Sequence, residues 1–167
     1  MEIQIRGGDC LNYRGDVLLL FHHSDVRPLT GSLALLDWRS NAAVSLLWKK
    51  KKELLRFGQL TIIATQGKIP TETVILTGLG PSDEFSADLR REGYRLALEA
   101  ALKIGAVAMA EDGVPLKKGF DKGVLADLQS ALSRTGGAET ATVALFVQDK
   151  EQVPALRDSA YGASMVG

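Results

Sequence analysis

The stretch Asp16-Val17-Leu18-Leu19-Leu20-Phe21, continued by His22-His23-Ser24-Asp25-Val26-Arg27-Pro28 and Leu29-Thr30-Gly31-Ser32-Leu33-Ala34-Leu35-Leu36-Asp37, decides the fold class. Val17 to Phe21 is an apolar run without polar alternation, as in a strand covered on both faces. The last part places Leu33 and Leu36 at helical spacing behind Thr30-Gly31-Ser32, a group suited to a helix N-terminus. A doubly covered strand that runs through a loop into a helix is the repeating unit of layered α/β proteins.

Further strand runs follow at Glu2–Ile5, Leu60–Ala64, Thr73–Thr77, Ala106–Ala110 and Thr142–Val147. From Ser86, a candidate N-cap, Leu89, Gly93, Leu96, Ala97, Ala100, Ala101 and Ile104 recur at steps of three and four, and Gly105 is a natural stop. Their small residues suit a helix lying close on a sheet. A second helix is expected over Gly119 to Arg134, with Val124, Leu125, Leu128 and Leu132 inward, ended by Gly136-Gly137. The stretch from Thr30 to Arg56 reads as two consecutive helices or one kinked at Ser40-Asn41. A short helix is expected after Asp149. Strands alternating with helices predict an α/β layered sandwich, one domain over residues 1–161 with a loose C-terminal tail over 162–167.

The chain has 167 residues, a length that suits one domain. With 46% hydrophobic and 24% charged residues it has the material for a core, which excludes global disorder. Lys and Arg number 20, as do Asp and Glu, so the basic excess of a nonspecific nucleic-acid binder is missing and nucleic acid is not an expected partner. A single cysteine, Cys10, excludes an internal disulfide and a cysteine zinc cluster. The run Val17 to Phe21 is too short to span a bilayer or to form a signal-peptide core. The expectation is a soluble cytoplasmic protein without a membrane partner.

In open α/β sheets ligands bind where strands end and helices begin. Two loops qualify. In the first, Thr30, Gly31 and Ser32 offer backbone N–H groups at a helix N-terminus, a general anion site; the plainer alternative is that Thr30 or Ser32 only caps the helix. In the second, Gly78 and Gly80 permit close approach to a ligand or simply a tight turn. The pattern is neither a dinucleotide fingerprint, since the third glycine is missing, nor a P-loop. Asp9, in Arg6-Gly7-Gly8-Asp9-Cys10, suits a turn aspartate bonding its own backbone, or an acceptor for a ligand amine. His22 and His23 are adjacent, point to opposite faces of an extended chain, and so do not chelate one metal together; structural or surface roles are expected. Contiguous His23, Ser24 and Asp25 do not form a relay triad, and no Gly-x-Ser-x-Gly elbow occurs. Lys49 to Lys52 wrap around a helix end, where cations match the dipole; a phosphate patch is the lesser reading.

Three blocks of residues together resemble the N-terminal domain of M17 leucyl aminopeptidases. These are Asp16 to Phe21 followed by Leu29-Thr30-Gly31-Ser32-Leu33-Ala34-Leu35-Leu36-Asp37; Thr73-Val74-Ile75-Leu76-Thr77-Gly78-Leu79-Gly80-Pro81; and Asp88-Leu89-Arg90-Arg91 with Ala97 to Ala106. The resemblance covers roughly residues 14–150. It implies a macro-domain-like, three-layer α/β/α sandwich with a mixed, mostly parallel six-stranded sheet. The family's catalytic domain carries two metals, a catalytic lysine and an Asn-Thr-Asp-Ala-Glu-Gly-Arg motif. That motif is absent from these residues, so no position inherits a catalytic or metal-ligand role and no cofactor is implied.

The resemblance thus implies a noncatalytic domain, standing without the catalytic one, that acts in assembly, regulation or partner binding. Its partners would be further copies of itself or a separate metallopeptidase chain. An exposed apolar patch including Trp38 or Trp48 would favour this.

The macro-domain relationship implies an alternative, a binding module for ADP-ribose or a related nucleotide. Gly8-Asp9 resembles the pair whose aspartate recognises adenine. Of the Gly-rich diphosphate loop only Gly31 remains, within Pro28-Leu29-Thr30-Gly31-Ser32. A second ligand loop would lie near Gly113 or Gly119. His22-His23-Ser24 stands where hydrolytic macro domains are asparagine-rich, so removal of ADP-ribose from proteins is not expected. The candidate ligand residues are therefore Asp9, Thr30, Gly31, Ser32, Gly78 and Gly80.

Overall fold

The computed structural model describes residues 1–110, 122–136, 138–147, 151 and 153–164. The strands are β1 (Glu2–Gly7), β2 (Val17–His22), β3 (Leu60–Ala64), β4 (Thr73–Gly78), β5 (Val107–Ala110) and β6 (Thr142–Val147). The helices are α1 (Gly31–Arg39), α2 (Ala43–Lys50), α3 (Ala87–Ala101), α4 (Lys122–Ser133) and α5 (Val153–Ser164). They form one sheet in the order β1-β6-β5-β2-β4-β3. All neighbours are parallel except β3, which runs antiparallel to β4. This is the expected mixed six-stranded sandwich.

The β2 run explains the layering. It lies between β5 and β4, and all six of its residues are buried. Side chains alternate across a strand. Val17, Leu19 and Phe21 therefore join a core with Tyr94, Ala97 and Leu98 of α3 and Leu128 and Leu132 of α4. Leu18 and Leu20 join a second core with Leu33 and Leu36 of α1 and Val44 and Trp48 of α2. Buried Gly93, Ala97 and Ala101 bring α3 close to the sheet, and Ser86 caps it, its hydroxyl accepting the Leu89 N–H at 3.3 Å.

Helix over the Thr30–Arg56 stretch ends earlier than the sequence reading placed it. The Thr30–Arg56 stretch is two helices, and helix stops at Lys50; residues 51–56 form turns. The break lies where Asn41 and Ala42 take left-handed backbone, at φ 55° and 63°. Ala42 has no capping oxygen, so the Asp37 carboxylate supplies one, accepting the Ser45 N–H at 2.8 Å and the Ser45 hydroxyl at 2.6 Å. The described part of α4 begins at Lys122, and the Gly113 and Gly119 turns lie outside the described residues. The C-terminal helix begins at Val153 within the described residues and reaches Ser164, into the stretch expected as a tail.

Candidate functional site

The parallel strands present their C-terminal ends on one side of the sheet. There β1, β5, β6 and α1 enclose a cleft of about 180 Å³. One wall is Gly8, Asp9 and Cys10, just beyond β1. Facing it are Ser32 and Leu35 of α1, and Ala110 and Phe146 close the cleft from β5 and β6. Gly8 has φ +115°, a conformation open to glycine, which turns the chain sharply off the strand. The Cys10 thiol lies 3.1 Å from the Ser32 hydroxyl and ties the two walls together.

Asp9 is held twice. One carboxylate oxygen accepts the Leu11 N–H at 2.9 Å, capping a short 3-10 turn over Cys10–Asn12. The other accepts from the Arg39 guanidinium at 3.3 Å, at the last turn of α1. This is the turn-aspartate geometry. Each carboxylate oxygen has a second lone pair, so the group retains capacity for a ligand donor.

Thr30 and Gly31 take up a different arrangement from a simple cap. Thr30 occupies the N-cap position of α1, but its side chain makes no capping bond. Its N–H instead donates to His22 Nε2 at 3.4 Å. Gly31 has φ +62°, which only glycine adopts freely at this entry to the helix. Ser32 is buried in the first turn and is the one residue of this trio that lines the cleft.

Gly78 and Gly80 lie elsewhere. Gly78 ends β4, four strands along from β1. A Cβ there would stand 2.3 Å from the Arg56 carbonyl oxygen. Gly80 donates its N–H to the Leu55 carbonyl and accepts the Ser24 N–H, both at 3.0 Å. These glycines let the β4 exit lie against the turn after α2. Of the six candidates, Asp9 and Ser32 meet at the cleft, Thr30 and Gly31 lead into the helix beside it, and Gly78 and Gly80 do not reach it.

His22 and His23 both prove buried and structural. The alternation of an extended chain sends them to opposite sides. His22 Nδ1 donates to the His23 carbonyl at 2.9 Å, so its Nε2 is the acceptor for Thr30. Burial holds the His22 pKa below its ordinary value, partly offset by that carbonyl bond. His23 Nδ1 donates to the Gly80 carbonyl at 2.9 Å, and its ring meets Phe85 edge to face. Asp25 pins the same loop: it accepts the Ser82 N–H and hydroxyl, which lower its pKa. Among the described residues no group of three or more His, Cys, Asp or Glu is placed to hold a metal ion. No described helix is long and apolar enough to cross a membrane.

The two tryptophans divide. Trp48 is buried beneath Arg27, whose guanidinium lies 4.0 Å above its ring. Trp38 is 78% exposed on the outer face of α1, with Leu35 at 45% and Leu46 of α2 at 55%. Sequence reasoning missed Leu35, Arg39 and Phe146 as site residues. The spacing of Leu35 and Trp38, offset from the inward Leu33 and Leu36, is the signal that marks the outer face of α1.

No protein-family model matches the chain. Solved structures do. An Oceanobacillus iheyensis macrodomain mutant superposes with TM-score 0.77 at 13% identity, covering 98% of this chain and 89% of that one. A Trypanosoma brucei macrodomain in complex with ADP-ribose gives TM-score 0.66 at 18% identity, covering 95% and 69%. The fold is the macrodomain fold. In sequence, the chain is 31% identical over 93 residues to a probable cytosol aminopeptidase of Synechocystis sp., covering 54% of this chain and 19% of that protein. It is 29% identical over 134 residues to a probable cytosol aminopeptidase of Geobacter sulfurreducens, covering 80% and 27%. The chain therefore spans about a fifth to a quarter of the curated relatives it matches. The aminopeptidase likeness and the macrodomain neighbours fit a macro-like domain of the aminopeptidase N-terminal kind.

Proposed function

We propose that this macrodomain-fold chain works as a noncatalytic docking domain of an aminopeptidase-type assembly. The observation that carries the reading is Trp38, 78% exposed and one helical turn from exposed Leu35. A large aromatic standing in water one turn from an exposed leucine is the composition of an interface anchor. The relatives supply the context, since the matched region in them is part of a longer aminopeptidase. The surface suits a second copy of the chain or an aminopeptidase catalytic region. Trp38→Ser is expected to abolish the association while leaving the melting temperature within a few degrees, because the side chain is outside the core. Sedimentation velocity and a thermal melt read the two effects separately.

A second reading has its own observation. Asp9 and Ser32 meet in a strand-end cleft, on a fold whose neighbours include macrodomains in complex with ADP and ADP-ribose. A nucleotide in that cleft would present its amine to Asp9. Two features oppose it: Asp9 is already bonded within its own loop, and the diphosphate loop keeps one glycine. If the cleft takes ADP-ribose, calorimetry shows saturable heat that Asp9→Ala removes. The docking reading predicts no heat.

A further inference from the structure

The two edges of the sheet are built differently. At the β1 edge Glu2, Gln4 and Arg6 form a polar chain, with Gln4 donating to Glu2 at 3.2 Å and Arg6 to Gln4 at 2.8 Å. Arg157 of α5 donates to the Ile5 carbonyl at 3.1 Å. Charged side chains and a covering helix are the usual protection of an edge strand. The β3 edge, Leu60-Thr61-Ile62-Ile63-Ala64, carries no charge, proline or glycine. Its ladder to β4 is fixed by Thr65 N–H to Glu72 and Gly78 N–H to Gln59. Antiparallel pairs alternate, so Thr61 and Ile63 bond to β4, and Leu60, Ile62 and Ala64 turn their N–H and C=O groups outward. Among the described residues no side chain bonds these outward groups. Ile62 is itself 68% exposed.

Beside this edge runs a groove lined by Lys50, Lys51, Lys52 and Glu53 on one side and Gln59 to Ile62 on the other. No ion pair among the described residues engages the three lysines. An added strand would alternate its side chains across the sheet. Those opposite Thr61 and Ile63 would fall on the α1–α2 side, where the lysines lie. Those opposite Leu60, Ile62 and Ala64 would cover exposed Ile62. A second copy of this chain would bring two lysine tracts together, which charge disfavours.

We infer that the β3 edge receives an extended peptide segment of a partner protein, alternating acidic and apolar residues, as an added strand. This goes beyond the docking reading, which rests on α1 and α2, and fails or stands separately from it. The probe is a short fluorescent peptide alternating valine and glutamate, read by anisotropy. Saturable binding is expected, weakened by salt. Ile62→Pro removes an outward N–H and the exposed isoleucine side chain while leaving the bonds to β4, and is expected to weaken binding about tenfold or more. Lys50→Glu with Lys51→Glu is expected to weaken it likewise. A peptide N-methylated at alternate residues, on the side facing β3, tests the main-chain bonds without altering the protein, and a lysine-for-glutamate peptide tests the charge. Binding that is absent, or is unchanged by N-methylation or charge reversal, overturns the inference. So does a mass doubling of the protein alone that Ile62→Pro abolishes, because then a second copy occupies the edge.

Discussion

His22 shows how much one side chain settles at this end of the sheet. Its Nδ1–H is committed to the His23 carbonyl, which leaves Nε2 as an unprotonated acceptor for the Thr30 N–H. Protonation would put a charge into the core beside Trp48 and replace that acceptor with a donor. Its folded pKa therefore lies below the ordinary 6.5. Between the two values the unfolded chain binds the proton and the folded one does not, so stability rises with pH across that window. It is lost progressively as pH falls below about 6.5, with a limiting slope of about 1.4 kcal/mol per pH unit, and levels off once the folded form also protonates. Urea unfolding from pH 8 to pH 5 is expected to show this slope, and His22→Gln is expected to flatten it. An equal slope in the variant would assign the proton to another group. None of this is legible in His22-His23 as letters. Adjacency predicts opposite faces, but the rings are covered by residues distant in sequence or across the loop, His22 by Thr30 and Trp48 and His23 by Gly80 and Phe85.

Elements were legible where a single periodicity ran without interruption. The α3 pattern shows its cap and the Gly93, Ala97 and Ala101 stripe of its inward face, because Ser86 and the small residues act locally, but the helix ends at Ala101 and Ile104, expected inward, is 44% exposed. The α1–α2 break was legible as a weak spot, but not its form. Left-handed Asn41 and Ala42 depend on Asp37 reaching Ser45, a tertiary substitute for a cap. The turns of residues 51–56 lie against the β4 exit, where Gly80 donates its N–H to the Leu55 carbonyl and Gly78 leaves room for the Arg56 carbonyl. Within the α3–α4 layer one carboxylate joins the two helices. Asp127 is buried and accepts from Arg90 at 2.6 Å and from Arg91 at 3.0 Å. Asp127→Ala leaves the nearly buried Arg90 without its partner. The expected loss is about 3 kcal/mol, the scale for breaking a buried pair. Chemical denaturation measures it, and a loss no larger than that of an ordinary surface substitution would show that the clamp adds nothing.

At the scale of the molecule, the two-sided β2 run was enough to place the layers, and the topology confirms a macrodomain fold. The candidate site was legible only in part. Asp9 and Ser32 share a cleft because parallel strands bring the β1 exit and the start of α1 to one side of the sheet. Gly78 and Gly80 follow an equally plausible strand end, yet sit four strands from β1 and serve backbone packing. Trp38 and Trp48 look alike in sequence. One is buried under Arg27 and the other stands in solvent because α1 and α2 turn different faces to the sheet. In the proposed docking function that exposed tryptophan is the contact residue. Its most direct test is sedimentation velocity over a concentration series of the wild-type protein and Trp38→Ser, each alone and mixed with the Geobacter sulfurreducens cytosol aminopeptidase. A heavier species is expected with the wild-type protein and is expected to be absent with Trp38→Ser. A monomer under every condition, or the same heavier species with both proteins, would contradict it.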